Sequence, residues 1–448
     1  MEQVPTMPES NAQEDEAKIQ KIAAAVQTAG GRALIVGGSV RDQQLGRPSR
    51  DIDIEVLGLD LNQLEKALSD LGRTHRVGRD FKVLKLSGLE IDLSVAEQTD
   101  LSFEEAALRR DLTINSMGLD PITGELLDPH SGQSDLKKGI LRATDPKRFG
   151  EDPLRILRVA RMASEFKMTV DHDLRRLCEK QDLKDVAVER IFSELSKLLI
   201  ETGEPSRGLH FLEETKALRF FPELDALRGV PQDPEWHPEG DVWIHTTLSV
   251  DCAAQIDKNE REAPPLMWSA LCHDLGKSEQ TTEVDGRIRS IGHDRKSAEI
   301  SQRFLERLCA PNELNRQVAA LVRDHLAPAL FVSNPAGPRG YRRLARRLGS
   351  SGVNLQLLEK LARADHWGRT TNDAQKRIFP AGDQFLEQAH TFSVALQPIP
   401  DAVHGRHLIA HGLQPGKKFG EILDRCRAIQ DETGETDPQV ILNQVLPS

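Results

Sequence analysis

Polar and apolar positions alternate most clearly at residues 51–57. There DIDIEVL sends acids and aliphatics to opposite sides of the chain, the period-2 pattern of a half-buried strand. RALIV at 32–36 is a short apolar run that predicts a second strand, stopped by Gly37-Gly38. AKIQKIAAAVQTA at 17–29 reads as a helix ended by Gly30-Gly31, and 61–71 as an amphipathic helix. Residues 81–86 and 89–95 predict a hairpin turning near Ser87-Gly88. The first third of the chain thus reads as a compact α/β unit with a small sheet. From Pro153 the texture changes to long helical patterns, clearest at 186–200. The Pro-rich stretch 222–238 reads as a linker. Residues 240–375 read as helices with clustered His and Asp, and the tail from about 380 as helices broken by Pro turns.

Length and composition narrow the classes. A chain of 448 residues suggests two to four domains at roughly 100–200 residues each. With 29% charged, 38% hydrophobic and no apolar run near the ~20 residues of a membrane helix, it reads as a soluble globular protein without a membrane partner. The acidic, polar N-terminus reads as a disordered tail over 1–16 rather than a signal peptide. Five scattered cysteines without a CxxC pair point to the reducing cytoplasm. The net charge of −11 argues against a general nucleic-acid binder, and no DNA partner is expected. Charge is uneven, however. Residues 137–184 carry 13 Lys and Arg against 8 Asp and Glu, and 339–347 carry five arginines and no acid. Such stripes hold phosphates in some proteins and are solvated helix faces in more.

VGGSVRD at 36–42 follows the first predicted strand. Paired glycines let the backbone approach a ligand closely, N–H groups opening a helix suit a phosphate, and Arg41 adds a planar cation. Asp51 and Asp53 then share one face of the DID strand. Two carboxylates side by side repel unless a cation lies between them, and oxygen donors favour Mg²⁺ or Mn²⁺. Two such ions activate a hydroxyl and stabilise a leaving pyrophosphate. Asp92 reads equally as a third carboxylate or a surface acid.

Further on, EDPLRILRVAR at 151–161 opens a helix with Asp152 near its N-cap and Pro153 in its first turn. Asp152, Arg155, Arg158 and Arg161 recur every third residue and form one winding ridge. A carboxylate accepts from the amino group of cytosine or adenine while an arginine donates to the ring nitrogen beside it. One Asp–Arg pair can therefore select C and A and reject G and U. The remaining arginines would hold a triphosphate.

GGSVRD with LGRPSRDIDIEV, RRDLTINSMGLDP, EDPLRILRVARMA and AVERIFSEL together resemble the class II tRNA nucleotidyltransferase and poly(A) polymerase family, over roughly residues 31–225. The resemblance implies an α+β fold: a small polymerase-β-like head with a mixed sheet, then all-α neck, body, HD domain and tail. It places the catalytic head at 17–145, the template and tRNA-binding neck and body at 146–235, an HD domain at 236–375 and a helical tail at 376–448. By resemblance Asp51 and Asp53 are catalytic and bind Mg²⁺, and Gly38 and Arg41 contact the nucleotide. Arg110, Arg158 and Arg161 grip the triphosphate, and Asp152 with Arg155 is the template for the incoming base. The implied partners are the tRNA 3′ end, CTP and ATP. One departure matters. The loop between the IDLSVAE strand and RRD is about a dozen residues short, as in members that add only CC. Full CCA addition, CC-only addition and poly(A) synthesis all remain open.

In the C-terminal half, His245, the pair His273-Asp274 and Asp365 supply the mixed imidazole–carboxylate set of a hydrolytic metal. This resembles the HD phosphohydrolase domain, which implies His245, His273, Asp274 and Asp365 as ligands, with His293 nearby. It also implies a transition metal such as Ni²⁺ or Mn²⁺, and phosphatase or 2′,3′-cyclic phosphodiesterase activity.

Overall fold

The computed structural model describes residues 9–48, 52–77, 83–86 and 91–446, gathered into two compact units that divide between Leu183 and Lys184. In the first, β1 (Arg32–Val36), β2 (Ile52–Leu57), β3 (Thr74–Val77), β4 (Val83–Leu86), β5 (Ile91–Val95), β6 (Gly118–Leu119) and β7 (Leu126–Leu127) form one mixed sheet. The strand order is β3-β4-β5-β2-β1-β6-β7. β2 and β5 run parallel, and every other neighbouring pair is antiparallel.

Alternation along the strands assigns the two faces. Ala33, Ile54, Val56, Leu84 and Leu93 point one way and pack under Ile19, Ile22 and Val26 of the helix Glu9–Thr28. Leu34, Val36 and Leu57 point the other way, against Phe103, Ala106 and Ala107 of the helix Phe103–Ala107. Asp53 and Glu55 share β2 with Leu57 at the same parity, so they belong to that second face.

The disordered tail expected over 1–16 is corrected from Glu9 onward, where the helix begins. Its first turns are rich in Glu, Gln and Ala, good helix formers. They extend a helix that Ile19 and Ile22 already pin to the sheet, so no new nucleus is needed. Residues 1–8 lie outside the described residues. The segment expected as helix at 61–71 is helical over Leu61–Ala67, opened by a capping box between Asp60 and Gln63. β3 was not anticipated, because THRV shows no apolar alternation.

The second unit is helical, with the helix expected at 186–200 running over Val188–Glu201. A hairpin, Thr282–Val284 with Arg287–Arg289, interrupts the helices and turns on Asp285-Gly286, both at positive φ (53° and 72°) as a two-residue turn requires. The arginine stripe at 339–347 serves cohesion here. In the helix Pro338–Gly349, Arg342 donates to the Asp431 carbonyl, Arg346 pairs with Asp401 and Asp431, and Arg347 pairs with Asp324. No described helix is long and apolar enough to cross a membrane.

Candidate active site and metal centre

The second face of the sheet floors a cleft of about 750 Å³ in the first unit. Asp53 and Asp92 are partners in the parallel β2–β5 register, so both carboxylates face it. Asp51 lies outside the described residues. Asp92 pairs with Lys85 across β4–β5 at 2.8 Å. Gly37 stands where β1 ends, at φ +75° and ψ −138°, a conformation essentially reserved for glycine. A Cβ there would lie 3.1 Å from Nη1 of Arg110 and 3.4 Å from Oδ2 of Asp53, so the bare backbone passes between acid and guanidinium. Gly38 and Arg41 follow in the short helix Gly38–Gln44 and line the same cleft.

The opposite wall is the helix Arg155–Glu165, which brings Arg155, Arg158 and Arg161 to the cleft, with Asp152 just ahead of it. Asp152 accepts from the Leu154 N–H at 3.2 Å, which fixes the helix entrance. Arg155 is buried, and two of its five N–H donors are taken by the main-chain carbonyls of Arg148 and Arg109, at 2.8 and 2.6 Å. Its guanidinium is thereby fixed before any ligand arrives. Arg158 donates to Asp111 at 2.7 Å, and Arg161 to Glu165 at 2.8 Å.

Two further residues organise these cations, and sequence reasoning missed both. Glu55 is fully buried on β2. Its carboxylate accepts from Arg109 and, at 2.9 Å, from Arg110, so Arg110 is held at the cleft mouth. Asn115 receives Arg41 at 2.8 Å and donates to Asp111 at 2.9 Å, tying the glycine turn to Arg158 through Asp111. Burial opposes ionisation of Asp111, but the Arg158 charge and hydrogen bonds from Asn115, Arg158 and the Leu112 N–H outweigh it, and its pKa lies below the ordinary carboxylate value.

For Mg²⁺ the donor chemistry fits. Asp53 is an oxygen donor on a rigid strand, in line with a second carboxylate, in a cleft whose other charges are arginines able to hold phosphate.

The second unit gathers a separate cluster. His245 sits in the helix Val242–Gln255, His273 and Asp274 follow the helix Ala263–Cys272, and His293 opens the helix His293–Arg307. His325 follows the helix Asn312–Asp324, and Asp365 lies in the helix Leu355–Gly368. All but His293 are buried. His245 Nε2 lies 3.1 Å from Asp365 and 3.3 Å from His273 Nε2, and Asp274 lies 3.2 Å from Nε2 of His273 and 3.3 Å from Nε2 of His293. The four ligand candidates from sequence therefore meet, with His293 beside them. His325 joins them, its ring 5.4 Å from His273 and 5.3 Å from His293. In sequence it is one histidine closing an ordinary amphipathic helix, and only its Asp324-His325 pairing hinted at a role.

Protonation shows why this cluster suits a cation. Nδ1 of His273, His293 and His325 faces the carbonyls of Ala270, Ser290 and Val322, at 2.8, 2.7 and 2.6 Å. A carbonyl only accepts, so each Nδ1 carries the hydrogen and each Nε2 of a neutral ring offers a lone pair. Two of these Nε2 atoms face Asp274, whose buried oxygens form no hydrogen bond of good geometry, though Lys277 lies 2.8 Å from one. Lone pairs pointed at lone pairs in a buried site call for a positive ion between them. His245, His273 and Asp274 form one group with metal-ligating spacing, and Asp274, His293 and His325 a second. Burial brings His325 down to about 4, which leaves it neutral and able to ligate. Glu239 accepts from His245 Nδ1 at 2.8 Å and orients that ring, the usual role of an outer carboxylate.

Comparison with known proteins places the chain. Residues 33–142 match the family described as Poly A polymerase head domain, and 169–228 the one described as Probable RNA and SrmB-binding site of polymerase A. The Multifunctional CCA protein of Cupriavidus metallidurans is 32% identical over 78% of this chain and 88% of its own length. The chain belongs to the class II CCA-adding enzyme and poly(A) polymerase family. The Multifunctional CCA protein of Thioalkalivibrio sulfidiphilus, also 32% identical, spans 88% of this chain and 97% of itself. In fold, the CCA-adding enzyme of Bacillus stearothermophilus in complex with CTP superposes at a TM-score of 0.65, with 22% identity, over 96% of this chain and 97% of that one. Like other members of this enzyme family, the chain joins a mixed-sheet head to a mostly helical remainder.

Proposed function

We propose that this protein adds nucleotides from CTP, and then ATP, to the 3′ end of tRNA without a nucleic-acid template. The observation that carries the reading is a single charged cleft that joins Asp53 on β2 to the arginine helix Arg155–Glu165. Asp51 and Asp53 hold Mg²⁺, which supplies the positive charge that activates the terminal ribose hydroxyl and offsets charge on the triphosphate. Arg110, Arg158 and Arg161 grip the phosphates, and Gly37-Gly38 brings the main chain close to them while Arg41 adds a contact. Asp152 and the pinned Arg155 read the base edge. In domain terms, 17–145 acts as the catalytic head, 146–235 as neck and body, 236–375 as the HD domain and 376–448 as the tail. The HD cluster, through His245, His273, Asp274 and Asp365 with His293 and His325, holds a transition metal and hydrolyses phosphate esters.

A second reading, addition of CC only, is favoured by one observation. Only residues 96–102 separate β5 from the helix Phe103–Ala107, leaving little room for the flexible loop of CCA-completing members. Incubating the protein with tRNA that lacks its 3′ CCA separates the readings. CTP and ATP together should give a full CCA end. A stop after two Cs with ATP present marks CC addition, and ATP-only tailing of generic RNA marks a poly(A) polymerase. Failure to incorporate any nucleotide overturns the proposal.

A further inference from the structure

A pocket of about 260 Å³ adjoins the histidine cluster, lined by Gln232, Trp236, His237, Lys277, Ile288, His293 and Arg369 among others. Its two ends differ chemically. At the inner end Lys277 bridges Asp274 and Gln232 at 2.8 Å each, His293 faces Asp274, and Arg369 approaches Asp365 to 3.6 Å. The Nε of Arg369 is buried without a hydrogen-bond partner. That end offers the N–H donors of Lys277 and Arg369, which suit a phosphate. At the outer end stand the side chains of Ile288, from the hairpin, and Trp236.

Trp236 is 57% exposed, whereas Trp243 and Trp268 are buried and Trp367 is half-buried under Arg363 and Arg377. No ring of the described residues covers it. Its main chain is nevertheless anchored: the backbone N–H of Trp236 donates to the Asp233 carbonyl at 3.1 Å, as does the backbone N–H of His237 at 2.9 Å. His237 in turn shares Glu239 with His245, each Nδ1 lying 2.8 Å from Oε1. A large flat apolar side chain thus stands in water on an anchored turn, lining the same pocket as Lys277 and Arg369.

We infer that this pocket binds a nucleotide phosphate ester, with Trp236 as the stacking platform for its base and Lys277 and Arg369 holding its phosphate at the cluster. Every base has a π-face, so stacking of this kind is indifferent to base identity. The pocket is slightly smaller than the roughly 300–1,000 Å³ of drug-sized sites, which suits one sugar-phosphate unit with the base lying out on the indole. The inference rests on the phosphohydrolase reading of the cluster: water attacks phosphorus, the bond from phosphorus to the ribose oxygen breaks, and that oxygen leaves carrying a proton from the water.

Two measurements on the full-length protein test it. Without added metal, adenosine 3′-monophosphate should quench tryptophan emission in the wild type and not in W236F, and glycerol 2-phosphate should quench neither. With Mn²⁺ or Ni²⁺, W236A should raise KM for adenosine 3′-monophosphate roughly 5–150-fold, the span of base–aromatic stacking, and leave KM for glycerol 2-phosphate unchanged. W236F should restore most of the loss. A 3′-phosphorylated trinucleotide provides a third arm: an indole-dependent KM below that of the mononucleotide points to an RNA end, and an equal one to a free nucleotide. Absence of hydrolysis of either ester by the wild type removes the phosphohydrolase reading alone, and the quenching then decides the platform. No quenching, or a KM change equal for both esters, overturns the platform itself.

Discussion

Replacing Glu55 with Gln tests how the head positions its cations. The carboxylate is fully buried and answers two guanidiniums, those of Arg109 and Arg110, which are themselves 29% and 18% exposed. Removing one partner of a fully buried pair costs about 3–5 kcal/mol. Here the arginines can turn towards water, so we expect about 2–3 kcal/mol. For a unit of this size each kcal/mol moves Tm by about 2–4 °C, so the head transition should fall by roughly 4–12 °C in a calorimetric scan that resolves the two units. Function should suffer as well. Arg110 released from Glu55 loses its set place at the cleft mouth, and a charge-assisted hydrogen bond to phosphate is worth about 1.5–3 kcal/mol. The kcat/KM for CTP incorporation into tRNA should drop roughly 10–150-fold, mostly through KM. An unchanged Tm together with unchanged incorporation refutes this account. A lower KM also refutes it, because it would mean that Glu55 competes with the phosphate for Arg110.

Asp53→Asn should abolish incorporation, by about 10³-fold or more, while circular dichroism and tRNA affinity hold; retained activity removes the metal role. Gly37→Ala forces a Cβ to within 3.1 Å of Arg110 at a glycine-only conformation, so we expect a loss of about 1–3 kcal/mol in denaturant titration together with weaker CTP binding. Asp111 is ionised below the usual carboxylate range, so its contribution is fully present above the unfolded value near 3.9 and is lost as pH falls through the lower folded one. The fall in Tm between pH 5 and pH 3 should therefore be smaller in Asp111→Asn than in the wild type. His273→Ala should reduce bound transition metal, measured by elemental analysis after dialysis, and leave nucleotide incorporation intact.

What could be read from sequence was what local pattern encodes. β1, β2 and the helix Arg155–Glu165 announce themselves by alternation, by glycines and by the arginines at every third position, although Pro153, expected in the first turn, lies ahead of the helix, which begins after Leu154. The glycine turn, Asp53 and the arginine ridge could be seen for the same reason, since their chemistry is written within a few residues. Glu55 could not. On β2 it is one more acid in an alternating strand, and its meaning comes from arginines more than fifty residues away. Asn115 likewise acquires its part only when Arg41 and Asp111 fold around it. The start of the first helix was misjudged because its polar composition resembles a tail, whereas the packing of Ile19 and Ile22 carries the helix outward.

The tethers of the three histidines have one more consequence. His273, His293 and His325 each lean on a carbonyl three positions behind them, on their own turn of chain. Their aim is therefore inherited from local backbone and owes nothing to one another. Deleting one imidazole takes away a single donor and leaves the rest pointing where they did. Such a centre wears down in steps and can be rebuilt in steps, while the helices around it stay in place.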